Sequence, residues 1–344
     1  MGIFNNIKNN TGNTKQTAPI KHRTTKNFFL GYPEAEAEAH NNSQIPFTTL
    51  YTNINLIENL DDSRFILVGK KGTGKSAFAK YIESNNIANF FCKTLRKNDL
   101  DIDGIVSACG KDFDYESVSR WVLSVQMLKL ISNSQSLDHK EQENIKKFLE
   151  INSGYVDFDK YSIKAISNQK DIKIDISPLK SILKIIGGEQ KKLDQEKPSF
   201  LQVLPSLEEL LSKILTEEKC RESQNSYLII LDDLDHGFNA KNSTHIANGY
   251  SLITAARNFN NEICREGNAK TILLMRDDII RRIESHEAGS AKAISSYAYK
   301  IKWHDNNLKG EAEKFNKLNE FIEKRLKHNF VKNNIQKIIK PAVI

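Results

Sequence analysis

Residues 65–76 read FILVGKKGTGKS, and the fold follows from how this stretch divides. Its first five residues, Phe65 to Gly69, form an apolar run too short for a helix and suited to a strand buried on both faces. Its last two open KSAFAKYIE (75–83), where apolar residues recur at helical spacing. Between strand and helix, Gly69-x-x-x-x-Gly74-Lys75-Ser76 matches the phosphate-binding loop pattern in full. Gly69, Gly72 and Gly74 admit backbone conformations closed to other residues and bring main-chain N–H groups close to phosphate oxygens. Lys70, Lys71, Thr73 and Ala77 complete the cradle, and the helix beginning near Lys75 turns its positive end toward the same anion. Lys75 is expected to reach the β- and γ-phosphates of a nucleoside triphosphate, and Ser76 to ligate Mg2+. ATP is the expected nucleotide, with GTP less favoured.

Such a loop needs a carboxylate at the end of a second buried strand to help hold magnesium. YLIILDDLD (227–235) supplies one: an apolar run, then Asp232, Asp233 and Asp235. Asp232 is the expected magnesium carboxylate. Asp233, next along, is placed to act as general base toward an attacking water. Asp235 and His236 read as a loop that caps the strand. A third apolar run, TILLM (271–275), ends at Arg276, a candidate sensor of the γ-phosphate; its bland alternative is an arginine paired with a neighbouring aspartate. Arg281 and Arg282 lie on the following helix and would serve as an arginine finger only in a ring-shaped assembly.

The rest of the chain is organised around these elements. Residues 88–95 suit a strand, and 119–131 a strongly apolar helix. Residues 47–60, 206–215 and 244–263 show helical spacing, and YAYKIKW (297–303) reads as a terminal strand followed by an amphipathic helix. Residues 132–205 are charged and helix-leaning, an expected helical insertion or lid. Strands alternating with helices predict an α/β fold, three layers around a mainly parallel five-stranded sheet. Residues 27–330 would form this domain, between a disordered basic tail at 1–26 and a basic C-terminal tail at 331–344.

The formal charge of +7 sits at the ends: residues 1–30 carry five basic and no acidic side chains, and residues 300–344 eleven basic against five acidic. Non-specific contact with nucleic acid is one reading of this, and solvated, solubilising ends another. No helix-turn-helix pattern, zinc-finger cysteines or basic-aromatic run supplies a means of reading sequence. The four cysteines include no C-x-x-C pair, no run approaches a membrane span, and the N-terminus carries neither a secretory nor a myristoylation pattern. A cytoplasmic protein with reduced thiols is expected.

The strand and phosphate loop, the Asp232-Asp233 pair, the strand ending in Leu274-Met275-Arg276 and KIKW (300–303) followed by Leu308 together resemble the additional-strand P-loop ATPases. Within these the chain is similar to the signalling NTPases of the STAND type and the related AAA+ group. FFLGYPEAEAEA (28–39), FILVGKKGTGKSAF (65–78), LLMRDDIIRRI (273–283) and KIKWHDNNL (300–308) look more closely like bacterial P-loop ATPases found near phage-defence genes. The resemblance implies that the strand ending in Arg276 separates the other two, and that ATP hydrolysis serves assembly or signalling. It also implies slow turnover, because Asp233 stands where many AAA+ proteins carry glutamate. The leading expectation is a Mg-dependent ATPase acting as a switch or motor, as a homo-oligomer or with a separate effector protein. A nucleotide or small-molecule kinase is the alternative enzyme, and a non-hydrolysing ATP-binding scaffold for a partner or DNA the third reading.

Overall fold

Strands that are apolar on both sides need a cover on each face; three such runs form the middle of an all-parallel five-stranded sheet whose two outer strands are only partly buried. The computed structural model describes residues 34–39, 47–52, 60, 63–85, 87–96, 102, 106, 114–134, 137–152, 175–179, 200–220, 225–265, 267–287, 289–303 and 315–332. Ala35–Ala39 (α1) and Phe47–Leu50 (α2) precede the strand Ile66–Gly69 (β1). Lys75–Ser84 (α3), Phe90–Arg96 (β2), Tyr115–Ser132 (α4), His139–Ile151 (α5) and Phe200–Lys219 (α6) follow. Then come Ser226–Asp232 (β3), Ser243–Phe259 (α7) continuing into a π-helical turn at Asn260–Cys264, and Ala269–Arg276 (β4). Asp277–His286 (α8), Ser290–Tyr297 (α9), Ala298–Lys300 (β5) and Asn316–Lys332 (α10) come last.

The strand order is β2-β3-β4-β1-β5, so β4 separates the strand ending in Asp232 from the one ending in Gly69. In register, Gly69 lies beside Arg276 and Arg96 beside Asp232, which gathers these residues at one edge of the sheet. Side chains alternate between two cores. Tyr227, Ile229, Leu231, Leu273, Ile66 and Val68 enter one with α4, α6, α7 and α8. Leu228, Ile230, Ile272, Leu274 and Leu67 enter the other with Phe78, Ile82 and Tyr81 of α3. The opposite covers lock the register, because a one-residue slip would exchange the two sets.

Local chemistry moves several boundaries from those predicted. The apolar helix reaches back to Tyr115 because Asp114 caps it, its carboxylate accepting the Ser117 N–H at 2.8 Å. Helix α6 begins at Phe200 rather than 206 and carries Pro205 in its second turn. Of the helix predicted over 47–60, the described part is Phe47–Leu50; Tyr51 leaves it and stacks on Tyr81 at 4.0 Å. The terminal strand is shorter than 297–303: Tyr297 closes α9 and only Ala298–Lys300 pair with β1, although Ile301 N–H still donates to Val68 O at 2.8 Å. The described residues of 132–205 do not stand apart from the body. Ile145 and Phe148 of α5, with Ile176 and Leu179, are buried in the same core as α4. The predicted tails lie outside the described residues apart from Val331 and Lys332. Among the described residues no helix is long and apolar enough to cross a membrane.

Candidate functional site

The loop between β1 and α3 folds as its glycines dictate. Gly72 and Gly74 have φ of 82° and 93°, a region that other residues enter at a cost. Gly69 is demanded by space: a Cβ there would lie 2.3 Å from Thr73 Oγ1. Thr73 turns its hydroxyl inward to donate to Lys70 O at 2.8 Å, and its N–H reaches the same carbonyl at 3.3 Å. Lys75 curls back along the loop, donating from Nζ to Gly69 O at 3.0 Å and Lys70 O at 3.1 Å. Burial pushes the Lys75 ammonium below its ordinary pKa, against the pull of Asp235, Asp232 and Asp278. Its charge therefore lies within reach of three carboxylates in a partly desolvated space. Lys70 and Lys71 stand exposed at the loop's tip, while Ala77 lies half-buried on the first turn of α3.

Asp232 ends β3 almost fully buried, at 4% exposure. Burial raises its pKa, opposed by a hydrogen bond from the Ser76 side chain, by the Asp233 N–H at 2.9 Å and by Lys75. The sheet thus brings near one another two oxygen-bearing side chains that the sequence separates widely, even though β4 intervenes between their strands. Asp233 turns out of the strand with φ of 53°, a left-handed conformation that aspartate tolerates better than most residues. Its carboxylate is half exposed and lies 3.8 Å from the Arg96 guanidinium. Among the described residues, no group of three or more His, Cys, Asp or Glu side chains could enclose a metal by itself. A hydroxyl paired with one buried carboxylate is instead the hard-oxygen set suited to Mg2+ that completes its shell with phosphate and water.

Arg276 lies at this edge with its guanidinium already engaged. Nε and Nη2 donate to the two carboxylate oxygens of Asp278 at 2.9 and 2.7 Å, and Nη1 to Asp235 at 3.1 Å. The pairing with neighbouring aspartates is thus present, and Asp235 is more than a strand cap. Asp278 is held below its ordinary pKa chiefly by the hydrogen bond from Arg276. Arg281 pairs along its own helix with Asp277 at 2.5 Å, and Arg282 is exposed.

The sequence reading missed three contributors. Arg96 ends the edge strand with no motif around it. Trp303 donates from Nε1 to Thr73 O at 3.1 Å, fixing the loop from 230 residues away. A cleft of ≈ 170 Å³ then opens beside the loop, lined by Thr52, Tyr51, Ala77, Trp303, Phe321 and Ala35. Its outer wall is α10, where Phe321 meets Trp303 edge-on at 5.5 Å and carries Arg325 over its ring at 3.7 Å. Arg325 Nη2 donates to both oxygens of Glu38 at 3.0 Å, and Nη1 to Leu50 O at 3.1 Å. Both side chains are nearly buried, so α1, α2 and α10 close together over the loop. The aromatic residues at 51, 303 and 321 were the available signal, but nothing local assigned them to one wall.

Compared with family models, with curated proteins and with solved structures, the chain matches none. The likeness to P-loop ATPases rests on the motifs alone.

Proposed function

We propose that the chain is a magnesium-dependent P-loop ATPase that works as a nucleotide switch. The observation that carries the reading is the buried Asp232 carboxylate at the end of β3, whose pKa is shaped by both Ser76 and Lys75 of the Gly69–Ser76 loop. The loop's N–H groups, the first turn of α3 and Lys75 bind and orient the phosphates. Magnesium held by Ser76 and Asp232 would neutralise charge on the phosphate oxygens. Asp233 accepts a proton from a water whose oxygen bonds to the terminal phosphorus. The bond from that phosphorus to the bridging oxygen breaks, leaving ADP and inorganic phosphate. Arg276, released by Asp235 and still oriented by Asp278, stabilises charge on the departing phosphoryl oxygens.

The cleft at Trp303 supports adenine as the base. Its space equals that of about five or six waters, enough for one planar ring system with stacking surfaces at Tyr51 and Trp303. The Thr52 hydroxyl, at 3% exposure, has no hydrogen-bond partner among the described residues and lines this cleft. The carboxylate that could accept the N–H edge of guanine, Glu38, has both oxygens bonded to Arg325.

Phosphate release and nucleotide binding, measured on wild type, Lys75→Ala and Asp233→Asn, test this reading. Wild type should hydrolyse ATP slowly; Asp233→Asn should bind ATP but lose turnover by about 10²-fold or more; Lys75→Ala should lose binding. ATP bound equally well by Lys75→Ala, or no phosphate release from wild type, would refute it.

A further inference from the structure

The two carboxylates on Arg276 differ in what they can do. Asp278 lies two residues further on, in the first turn of α8, and engages Nε and Nη2 as a bidentate pair. It orients the guanidinium from the same element. Asp235 comes from the connection after β3 and takes only Nη1, at 3.1 Å. That single bond is the one a third oxygen can replace without disturbing the bidentate pair. Among the charged groups acting on Lys75, Asp235 is also the strongest, ahead of Asp232. Asp235 thus holds one nitrogen of Arg276 directly and acts on Lys75 only through its field.

We propose that Asp235 is a specificity-determining residue: it competes with the terminal phosphate for Arg276, and so sets how strongly the site prefers a triphosphate over a diphosphate. The inference rests on the reading of the loop as a nucleotide site. A diphosphate meets Lys75 but leaves the Arg276–Asp235 bond in place. A triphosphate must break that bond and sit beside the carboxylate that made it. Asp235 therefore lowers affinity for the triphosphate selectively. The same bond ties β4 to the connection after β3, where Phe238 N–H donates to Asp235 O at 3.1 Å and Asn239 N–H to His245 Nδ1 at 3.0 Å. Exchange of partners at Arg276 accordingly changes what holds this connection.

Calorimetric Kd values for Mg-ADP and for a β,γ-imido ATP analogue, on the full chain, provide the test. Asp235→Asn keeps the side chain's shape and should tighten the triphosphate analogue by about threefold to tenfold, both groups being about one-third exposed. The diphosphate should change by less than about twofold. Asp278→Asn should instead weaken the analogue, because Arg276 loses its orienting partner. In an Arg276→Ala background the selective gain from Asp235→Asn should shrink to a third or less. Equal tightening of both nucleotides, the same gain from Asp278→Asn, or a gain unaffected by Arg276→Ala would overturn the role given to Asp235. Wild-type chain that binds neither nucleotide would overturn the underlying reading as well. Binding of both with a ratio unmoved by Asp235→Asn would overturn this inference alone. Asp235→Ser, which also removes the charge, should reproduce the gain, and its failure to do so while folded counts against the inference.

Discussion

Adding one methyl group at Gly69 should disable the loop through a single identifiable clash. The new Cβ would lie 2.3 Å from Thr73 Oγ1, 3.3 Å from Thr73 Cβ and 3.1 Å from Ile301 Cδ1. Ile301 Cδ1 is the free end of a flexible side chain and can yield; the threonine is stiff at χ1 and tied to Lys70 O by its hydroxyl at 2.8 Å. Relief therefore costs that hydrogen bond and an unfavourable rotamer, together about 1–3 kcal/mol. It also shifts the Thr73 carbonyl that Trp303 holds. Urea denaturation of Gly69→Ala should report a loss in this range at unchanged m-value, and Mg-ADP affinity should fall with it. The decisive variant is Gly69→Ala with Thr73→Ala, in which the clashing oxygen is gone. The double variant should recover at least about 1 kcal/mol relative to the sum of the singles. Strict additivity would refute the argument, since the clash would then not reside in the Thr73 side chain.

Asp232→Asn gives a pH-dependent outcome. Burial raises the Asp232 pKa in the folded chain, so in the window above its unfolded value the folded state keeps a proton that the unfolded state has lost. Stability therefore falls as pH rises through that window and stays lower above it. The asparagine variant should be more stable at pH 7 by about 1 kcal/mol, with the gap closing toward pH 4 in urea titrations, while Mg-dependent nucleotide binding is lost. Glu38→Ala should remove the carboxylate that takes two hydrogen bonds from the buried Arg325 and cost about 3–5 kcal/mol. Replacing both Glu38 and Arg325 by methionine should cost less than the single change, and the reverse order would contradict the ion-pair account.

The sequence carried the sheet well, because its signals were local. FILVG, YLIILDD and TILLM are apolar runs with no helical length, and each became a strand of the parallel sheet. The conformation of the loop between β1 and α3 was legible for the same reason, since its glycines are fixed by φ or by close approach within eight residues. What escaped was contact between distant segments. Trp303 reaches Thr73 and Arg325 reaches Glu38 across most of the chain, and neither spacing leaves a periodic trace. Arg96 became visible only through register, when β2 paired with β3 and placed it beside Asp232. The short β5 was over-read for a related reason. Tyr297 closes the helix before it, although its ring packs on Phe65 at 5.2 Å and its carbonyl accepts the Phe65 N–H at 3.0 Å, and no alternation pattern marks that boundary.

The wall of α1, α2 and α10 has a temporal consequence during synthesis. The loop and its helix emerge from the ribosome early, but Phe321 and Arg325 follow roughly 250 residues later, about 12–50 s at ordinary elongation rates. For roughly the first 200 of those residues β1 lacks β4, its neighbour on one side, and throughout the interval the cleft beside the loop lacks its outer side. A nascent chain can thus display the complete phosphate motif without a complete pocket. The wall beside the loop is therefore among the last parts of the fold to be completed.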